Sequence, residues 1–408
     1  MQLDTLIFGG GAAGLWLLDE LSRSGYSALL LEAGDLGGGQ TVASQGILHG
    51  GFKYTLGGLF TRSAASIRDM PTIWRESLRG RQDPDLSGTR IRSEACYLWR
   101  SDSVSSRLGM VAAQVGLRVV PRTVSDAEKP EVLARCPGSV ALLDEQVISP
   151  ASLLSCLAAP HQTRILRIDA DAGLTFEVDP SRRVRRVRLT NPVTGDVMEL
   201  SPKQVVFTAG AGNAVLRQKI GRTASVMQRR ALHMVMLRGQ LPQLNGHCVD
   251  GAATRATITS DVDSSGRTVW QVGGQIAEYG VSMNEPAIIE WARSELESVL
   301  PGLDLSQAEW GAYRVDRAER ITATGRRPET AQILREENVV TAWPTKLVLA
   351  PQLAEKISSI VRGAGQGSSS EVSIPGDWPR PKIAPSPWEA CSRWYDSFEN
   401  SSERRKAA

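Results

Sequence analysis

Two groups of residues in this sequence have the types and spacing to do chemistry. The first is Gly9-Gly10-Gly11-Ala12-Ala13-Gly14, a GxGxxG run, followed by Glu32. Between a strand and a helix such a run cradles a pyrophosphate. Gly9 allows the tight turn, Gly11 lets the backbone approach the phosphates, and Gly14 lets the helix pack closely on the sheet. The helix N-terminus adds unpaired N–H groups and partial positive charge, and Glu32 can accept hydrogen bonds from ribose hydroxyls. The second group is histidine, whose unperturbed pKa near about 6.5 suits a proton acceptor. There are four: His49, His161, His233 and His247. Gly46, Gly50 and Gly51 surround His49 and permit close backbone approach to a flat ring, which makes His49 the candidate base. His161, in a Pro-His-Gln turn, and His233 and His247, in a strand-rich region, read as structural.

The elements that must position these groups are also legible. Residues 3–8 read as a short buried strand and residues 15–24 as an apolar-faced helix stopped by Gly25. Residues 27–32 read as a second strand. Together they form a βαβ unit of the size a parallel crossover needs. Residues 205–212 read as another buried strand running into a glycine turn, so the dinucleotide-binding domain is expected to be discontinuous. Helices are expected over 61–80, 285–300 and 347–361. Strands are expected over 164–210, over 228–284 with a hairpin turn at Asp263-Ser264-Ser265-Gly266, and at 339–342.

The fold expected is α/β. A Rossmann-like domain comprises 1–89, 146–225 and 322–362, and a mixed α+β substrate domain on a large antiparallel sheet comprises 90–145 and 226–321. Residues 363–408 form a flexible linker and a tail with Trp378, Trp388 and Trp394.

Composition narrows the function classes. The 408 residues suggest two to three domains of about 150 residues. A formal net charge of +3 is too small to suggest nucleic acid, and the basic run from Arg182 to Arg188 reads as the solvated face of a strand. Cys96, Cys136, Cys156, Cys248 and Cys391 are scattered and form no CxxC pair. Neither a disulfide framework nor a zinc site is expected. With no targeting peptide and no membrane-length apolar run, a cytoplasmic protein is expected. A second GxGxxG in a strand–helix context and a CxxxxC redox pair are both missing, so no separate NAD(P)H domain is expected.

Residues 43–54, Ala-Ser-Gln-Gly-Ile-Leu-His-Gly-Gly-Phe-Lys-Tyr, carry a family resemblance. They are similar to the block that contacts the flavin ring in FAD-dependent glycerol-3-phosphate dehydrogenases and L-2-hydroxyglutarate oxidases. Both belong to the D-amino-acid-oxidase-like superfamily, and in the former the block reads roughly S-x-x-L-I-H-G-G-L-R-Y. Trp310-Gly311-Ala312-Tyr313-Arg314 resembles the superfamily's W-x-G-x-R-P strand. Thr345-Lys346-Leu347 with Leu353-Ala354-Glu355 resembles the dehydrogenase segment that closes over the flavin, and residues 205–212 resemble its V-V-x-A-A-G strand. Departures are Pro344-Thr345 for a glycine pair, Lys53 for arginine and Val315 for proline.

The resemblance implies noncovalent FAD. Its expected contacts are Gly9, Gly11, Ala12, Ala13, Gly14, Glu32, Ala33, Gln40, Ser44, Gly46, Leu48, Gly210, Thr345, Lys346 and Leu347. It also implies an FAD-dependent dehydrogenase or oxidase that takes a hydride from a small anionic hydroxy or amino compound. His49 is then the base, Arg314 the anchor of the anionic group with Lys53 or Tyr54 assisting, and Lys346 the cation at the flavin edge. Electrons are expected to leave to oxygen, a quinone or another carrier. Alternatives are a flavin-binding protein without turnover, using the tail as an interaction module, and a flavin monooxygenase.

Overall fold

A computed structural model describes residues 1–50, 69–100, 122–251, 253–367 and 374–396. The strand Gln2–Phe8 is buried from Leu3 onward, as its unbroken apolar run requires of a central parallel strand. It pairs in parallel with Ala28–Glu32 on one side and with Val197–Phe207 on the other, with Leu6 opposite Leu29 and Val205. Ile165–Arg167 and Val339–Trp343 extend the parallel sheet outward, and Gln332–Glu336 closes one edge antiparallel. The crossover helix Ala12–Arg23 buries Leu15, Trp16, Leu17, Leu18 and Leu21. It stops at Gly25, in the left-handed region at φ 77°. There Gly25 N–H donates to Ser22 O and Tyr26 N–H to Leu21 O, the hydrogen-bond pair of a Schellman ending.

Among the described residues the second sheet has nine strands. From one edge they run Tyr395–Asp396, Glu309–Arg320, Met227–Gly239, Thr268–Gly273, Ala253–Val262, Gly246–Asp250, Cys96–Arg100, Val140–Leu143 and Arg122–Val124. All neighbours are antiparallel except Gly246–Asp250 with Cys96–Arg100. The helix Glu285–Val299 covers one face, burying Ile288, Ile289, Ala292 and Leu296 against Trp310, Val235 and Trp270. Asn284 caps it by accepting the Ala287 N–H at 3.0 Å. A small ladder of Ile91–Ser93 with Val147–Ile148 lies where the chain enters and leaves the second sheet.

The helices expected at 347–361 and 61–80 need adjustment, and the basic run lies on a solvated strand face as expected. The expected helix at 347–361 is a 3-10 turn, Leu347–Leu349, leading into an α-helix, Ala350–Arg362, with Pro351 in its first turn where no intrahelical N–H is needed. Of the expected 61–80 helix, the described part is Met70–Leu78. The basic run alternates in Val184–Thr190, with Val184, Val187 and Leu189 buried and Arg185, Arg186 and Arg188 in solvent.

The described part of the tail packs on the chain's own body. Trp378 is 2% exposed and donates its indole N–H to Arg167 O at 2.9 Å. Leu36 exchanges backbone hydrogen bonds with Lys382 and Ala384. Trp388 packs on Met236 and Val269 of the second sheet. Removing the buried indole leaves a cavity, so Trp378→Ala is expected to cost ~3–5 kcal/mol. A lowered urea midpoint would report it, and an unchanged midpoint would show the tail to be uncoupled from the fold.

Candidate functional site

The two sheets enclose a cavity of about 1380 Å³. This exceeds the roughly 300–1,000 Å³ of an ordinary ligand pocket. Its nucleotide-binding half is built at the C-terminal ends of the parallel strands. A Cβ on Gly9 would sit 2.5 Å from the Ala209 Cα, and one on Gly14 would sit 2.0 Å from the Gly9 carbonyl oxygen, so the close helix–sheet packing needs both glycines. Gly11 differs. A Cβ there would meet only the Thr41 hydroxyl, at 3.1 Å. The fold does not need Gly11 bare, whereas a ligand approaching the helix N-terminus does. Gly11 is the N-cap of Ala12–Arg23 and offers no side-chain cap, and Thr41 Oγ1 accepts the Ala12 N–H at 3.3 Å.

Glu32 ends the second strand and accepts the Gly10 N–H at 2.6 Å and the Gly34 N–H at 2.8 Å. Each oxygen keeps acceptor capacity for a hydroxyl. Ala12, Ala13, Ala33, Gln40, Ser44, Gly46 and Gly210 line the same cavity. Gln40 Oε1 also accepts the Ala318 N–H at 2.8 Å, tying this loop to the second sheet. The Ser44 hydroxyl is buried with no protein partner, as a wall built for a polar ligand leaves it. Leu48 does not line the cavity. Its N–H donates to Gln146 O at 2.8 Å and its side chain joins the core around Ile148.

The other half carries the reactive groups. Gly46 has φ 71°, and a Cβ there would lie 2.1 Å from Ile148 O. Only glycine therefore lets residues 46–48 pair with 146–148. This pairing sets Glu145 beside His49. His49 Nδ1 lies 3.2 Å from Glu145 Oε2, and the Gly50 N–H donates to Oε1 at 2.8 Å. His247 completes the group, its Nε2 3.6 Å from the same Oε2. Burial works to raise the Glu145 pKa. The charges and hydrogen bonds of His49 and His247 outweigh it and hold the carboxyl well below the usual range. His161 and His233 are buried on Asp19, at 3.0 Å, and on Gly280 O, at 3.1 Å.

Thr345, Lys346 and Leu347 line the cavity opposite. Burial, then the neighbouring Arg327, pulls the Lys346 ammonium down to about 7, while Glu329 acts the other way. Arg314 is on the wall too, donating to Val281 O at 2.7 Å and Met283 O at 2.6 Å. Its neighbour Tyr313 is locked, accepting from Gln271 Nε2 and donating to Ala43 O, both at 2.9 Å. Lys53 and Tyr54 lie outside the described residues. The sequence reading misses Glu145, His247 and Tyr313. Glu145 has no local motif, and Gly246–Asp250, buried from Gly246 to Val249, carries no pattern that singles out His247.

The sequence matches the family described as FAD dependent oxidoreductase over residues 4–343. The chain belongs to that family. This FAD-dependent oxidoreductase is 38% identical over 395 residues to a probable FAD-dependent oxidoreductase of Pseudomonas aeruginosa, covering 95% of this chain and 98% of the relative. It matches a crystal structure of the FAD dependent oxidoreductase from that organism with a TM-score of 0.81 at 35% identity, over 96% and 98% of the two chains. The fold is shared with glycine oxidase from Geobacillus kaustophilus, with a TM-score of 0.63 at 16% identity over 91% and 96% of the chains. It is shared also with L-α-glycerophosphate oxidase from Mycoplasma pneumoniae, with a TM-score of 0.61 at 14% identity over 94% and 99%. The helix N-terminus at the cavity, the bare Gly11 and the buried Ser44 hydroxyl, without a hydrogen-bond partner among the described residues, all fit FAD. Among the described residues no helix is long and apolar enough to cross a membrane.

Gly11→Val tests the phosphate approach: apart from the Thr41 hydroxyl at 3.1 Å, no atom of the described residues lies within 4 Å of a Cβ at this position. The variant is expected to purify folded and colourless, with FAD affinity reduced at least tenfold. A yellow variant with wild-type FAD content would refute the assignment.

Proposed function

We propose that the protein oxidises a small anionic hydroxy or amino compound, a 2-hydroxy or amino carboxylate before a polyol phosphate. The observation that carries this reading is the convergence of His49, Arg314 and Lys346 on the cavity that also holds the phosphate-binding loop. Bound FAD supplies the two-electron acceptor that takes hydride from the substrate C–H. His49 takes the hydroxyl or amine proton, leaving a carbonyl or imine. With Nδ1 turned to Glu145, proton exchange with substrate falls to Nε2.

Arg314 binds the anionic group. Two of its five N–H donors serve backbone carbonyls, and the guanidinium fork retains donors for a carboxylate. Lys53 or Tyr54 assists. Lys346, on the cavity wall, would hold the flavin edge, where its buried ammonium would favour an anionic neighbour. Electrons then pass to oxygen, a quinone or another carrier.

Anaerobic mixing with a panel of hydroxy acids, amino acids and polyol phosphates, followed by flavin absorbance, tests the reading. His49→Ala is expected to slow flavin reduction by roughly 10²–10⁴, the usual worth of a positioned base, with FAD still bound. An unchanged rate would return His49 to packing. Arg314→Ala is expected to weaken binding of an anionic substrate, by less than loss of a buried charge pair would because Arg314 is solvent-exposed, with Arg314→Lys recovering part. The idea sinks if the best substrate is uncharged, or if kcat/KM for an anionic one survives Arg314→Ala.

A further inference from the structure

We propose that Glu145 is the positioning residue that keeps His49 in its proton-accepting form, and that His247 tunes it by sharing the same carboxylate oxygen. The inference rests on the reading of His49 as base. The three side chains come from distant segments: the loop 46–50, the crossing at 144–148 and the strand Gly246–Asp250. Their ligand-type atoms nevertheless lie within 4.8 Å of one another, and the two imidazole centroids are 5.6 Å apart.

Glu145 and His247 are each 1% exposed. A carboxylate so far from water persists as an anion only against charge or hydrogen-bond donors. Gly50 N–H occupies one oxygen, and the other faces both rings. Neutral imidazole has a single N–H. A carboxylate on Nδ1 keeps that proton there and leaves the lone pair on Nε2. When Nε2 receives the substrate proton, the same carboxylate stabilises the imidazolium without taking a proton itself, as the aspartate of a serine-protease triad does. His247 bonds Thr257 Oγ1 through Nδ1 at 2.9 Å and turns Nε2 toward Glu145. It draws on the charge that would otherwise serve His49, so His49 is a weaker base with His247 than without it.

Few other charges bear on this group among the described residues. Asp144 is paired with Arg75, and Glu94 accepts from Gln146 Nε2 at 2.7 Å. Lys346, Arg314 and Arg317 stand on the walls of the same cavity, Arg317 paired with Glu278 at 3.2 Å.

The test is a pH titration of ¹⁵N-histidine-labelled holoenzyme by NMR, with the His49→Ala spectrum identifying the His49 signals. In the wild type, neutral His49 is expected as the Nδ1–H tautomer. Glu145→Gln should weaken His49 protonation tenfold or more, moving its titration to lower pH. His247→Phe should move it to higher pH. A purely structural role for either residue would not produce opposite shifts. If Glu145→Gln fails to hold FAD, Glu145→Asp keeps the charge at a shorter reach and should give a smaller shift in the same direction.

An Nε2–H tautomer in the wild type would overturn the proposal. So would a His49 titration unmoved in the glutamine variant at full FAD content. Stoichiometric zinc in the purified holoenzyme, whose removal by EDTA changes the His49 signals, would overturn it as well. If the titrations shift as expected while His49→Ala reduces flavin at the wild-type rate with every panel acid, the base reading alone fails.

Discussion

The backbone pairing of residues 46–48 with 146–148 is the contact on which the reactive half of this molecule depends. It joins the loop that leaves the phosphate-binding unit to the point where the chain returns from the second sheet. Because a side chain at Gly46 would collide with Ile148 O, the strands approach only through that glycine. The benefit is register. His49 lies one residue after one paired segment and Glu145 one residue before the other, so their separation is set by backbone hydrogen bonds rather than by flexible side chains.

Around that contact the two sheets have different duties. The parallel sheet presents its loops at the carboxyl ends of its strands, as open α/β sheets do at the point where strand order reverses. Gly9 follows the central strand, Glu32 ends its neighbour, Thr208 to Gly212 follow the strand on the other side, and Lys346 lies just beyond the next. The antiparallel sheet supplies a rigid wall and holds the loop from the far side. Gln45 donates to Thr257 O and Gln271 O, and Tyr313 to Ala43 O. The loop between the glycine run and His49 is thus fixed by both sheets at once. That rigidity suits a site whose groups must meet within tenths of an ångström.

The phosphate-binding half is legible in the sequence because its determinants fall within one βαβ unit. Spacing along the chain there stands for distance in space. His49 is legible through its glycine neighbours and a resemblance, and Arg314 and Lys346 through the resemblance. The structure adds that Arg314 is already engaged by two carbonyls, a contact that depends on how the turn near Val281 folds back. Glu145 and His247 are illegible for a different reason. Their partners lie about a hundred residues away, and an isolated buried acid between two short strands or a buried histidine within one carries no local pattern. The tail is intermediate. Its composition marks it as distinct, but whether its tryptophans dock at home depends on grooves formed by Arg167 and the second sheet.

The docked tail has a consequence for how the site closes. The sheet behind the phosphate loop needs strands ending at Phe207 and Trp343, and Ala384, Pro385, Pro387 and Ala390 furnish part of the cavity wall. The cavity is therefore assembled from segments spread over most of the sequence, and the N-terminal βαβ unit folded by itself presents a binding loop without its full enclosure.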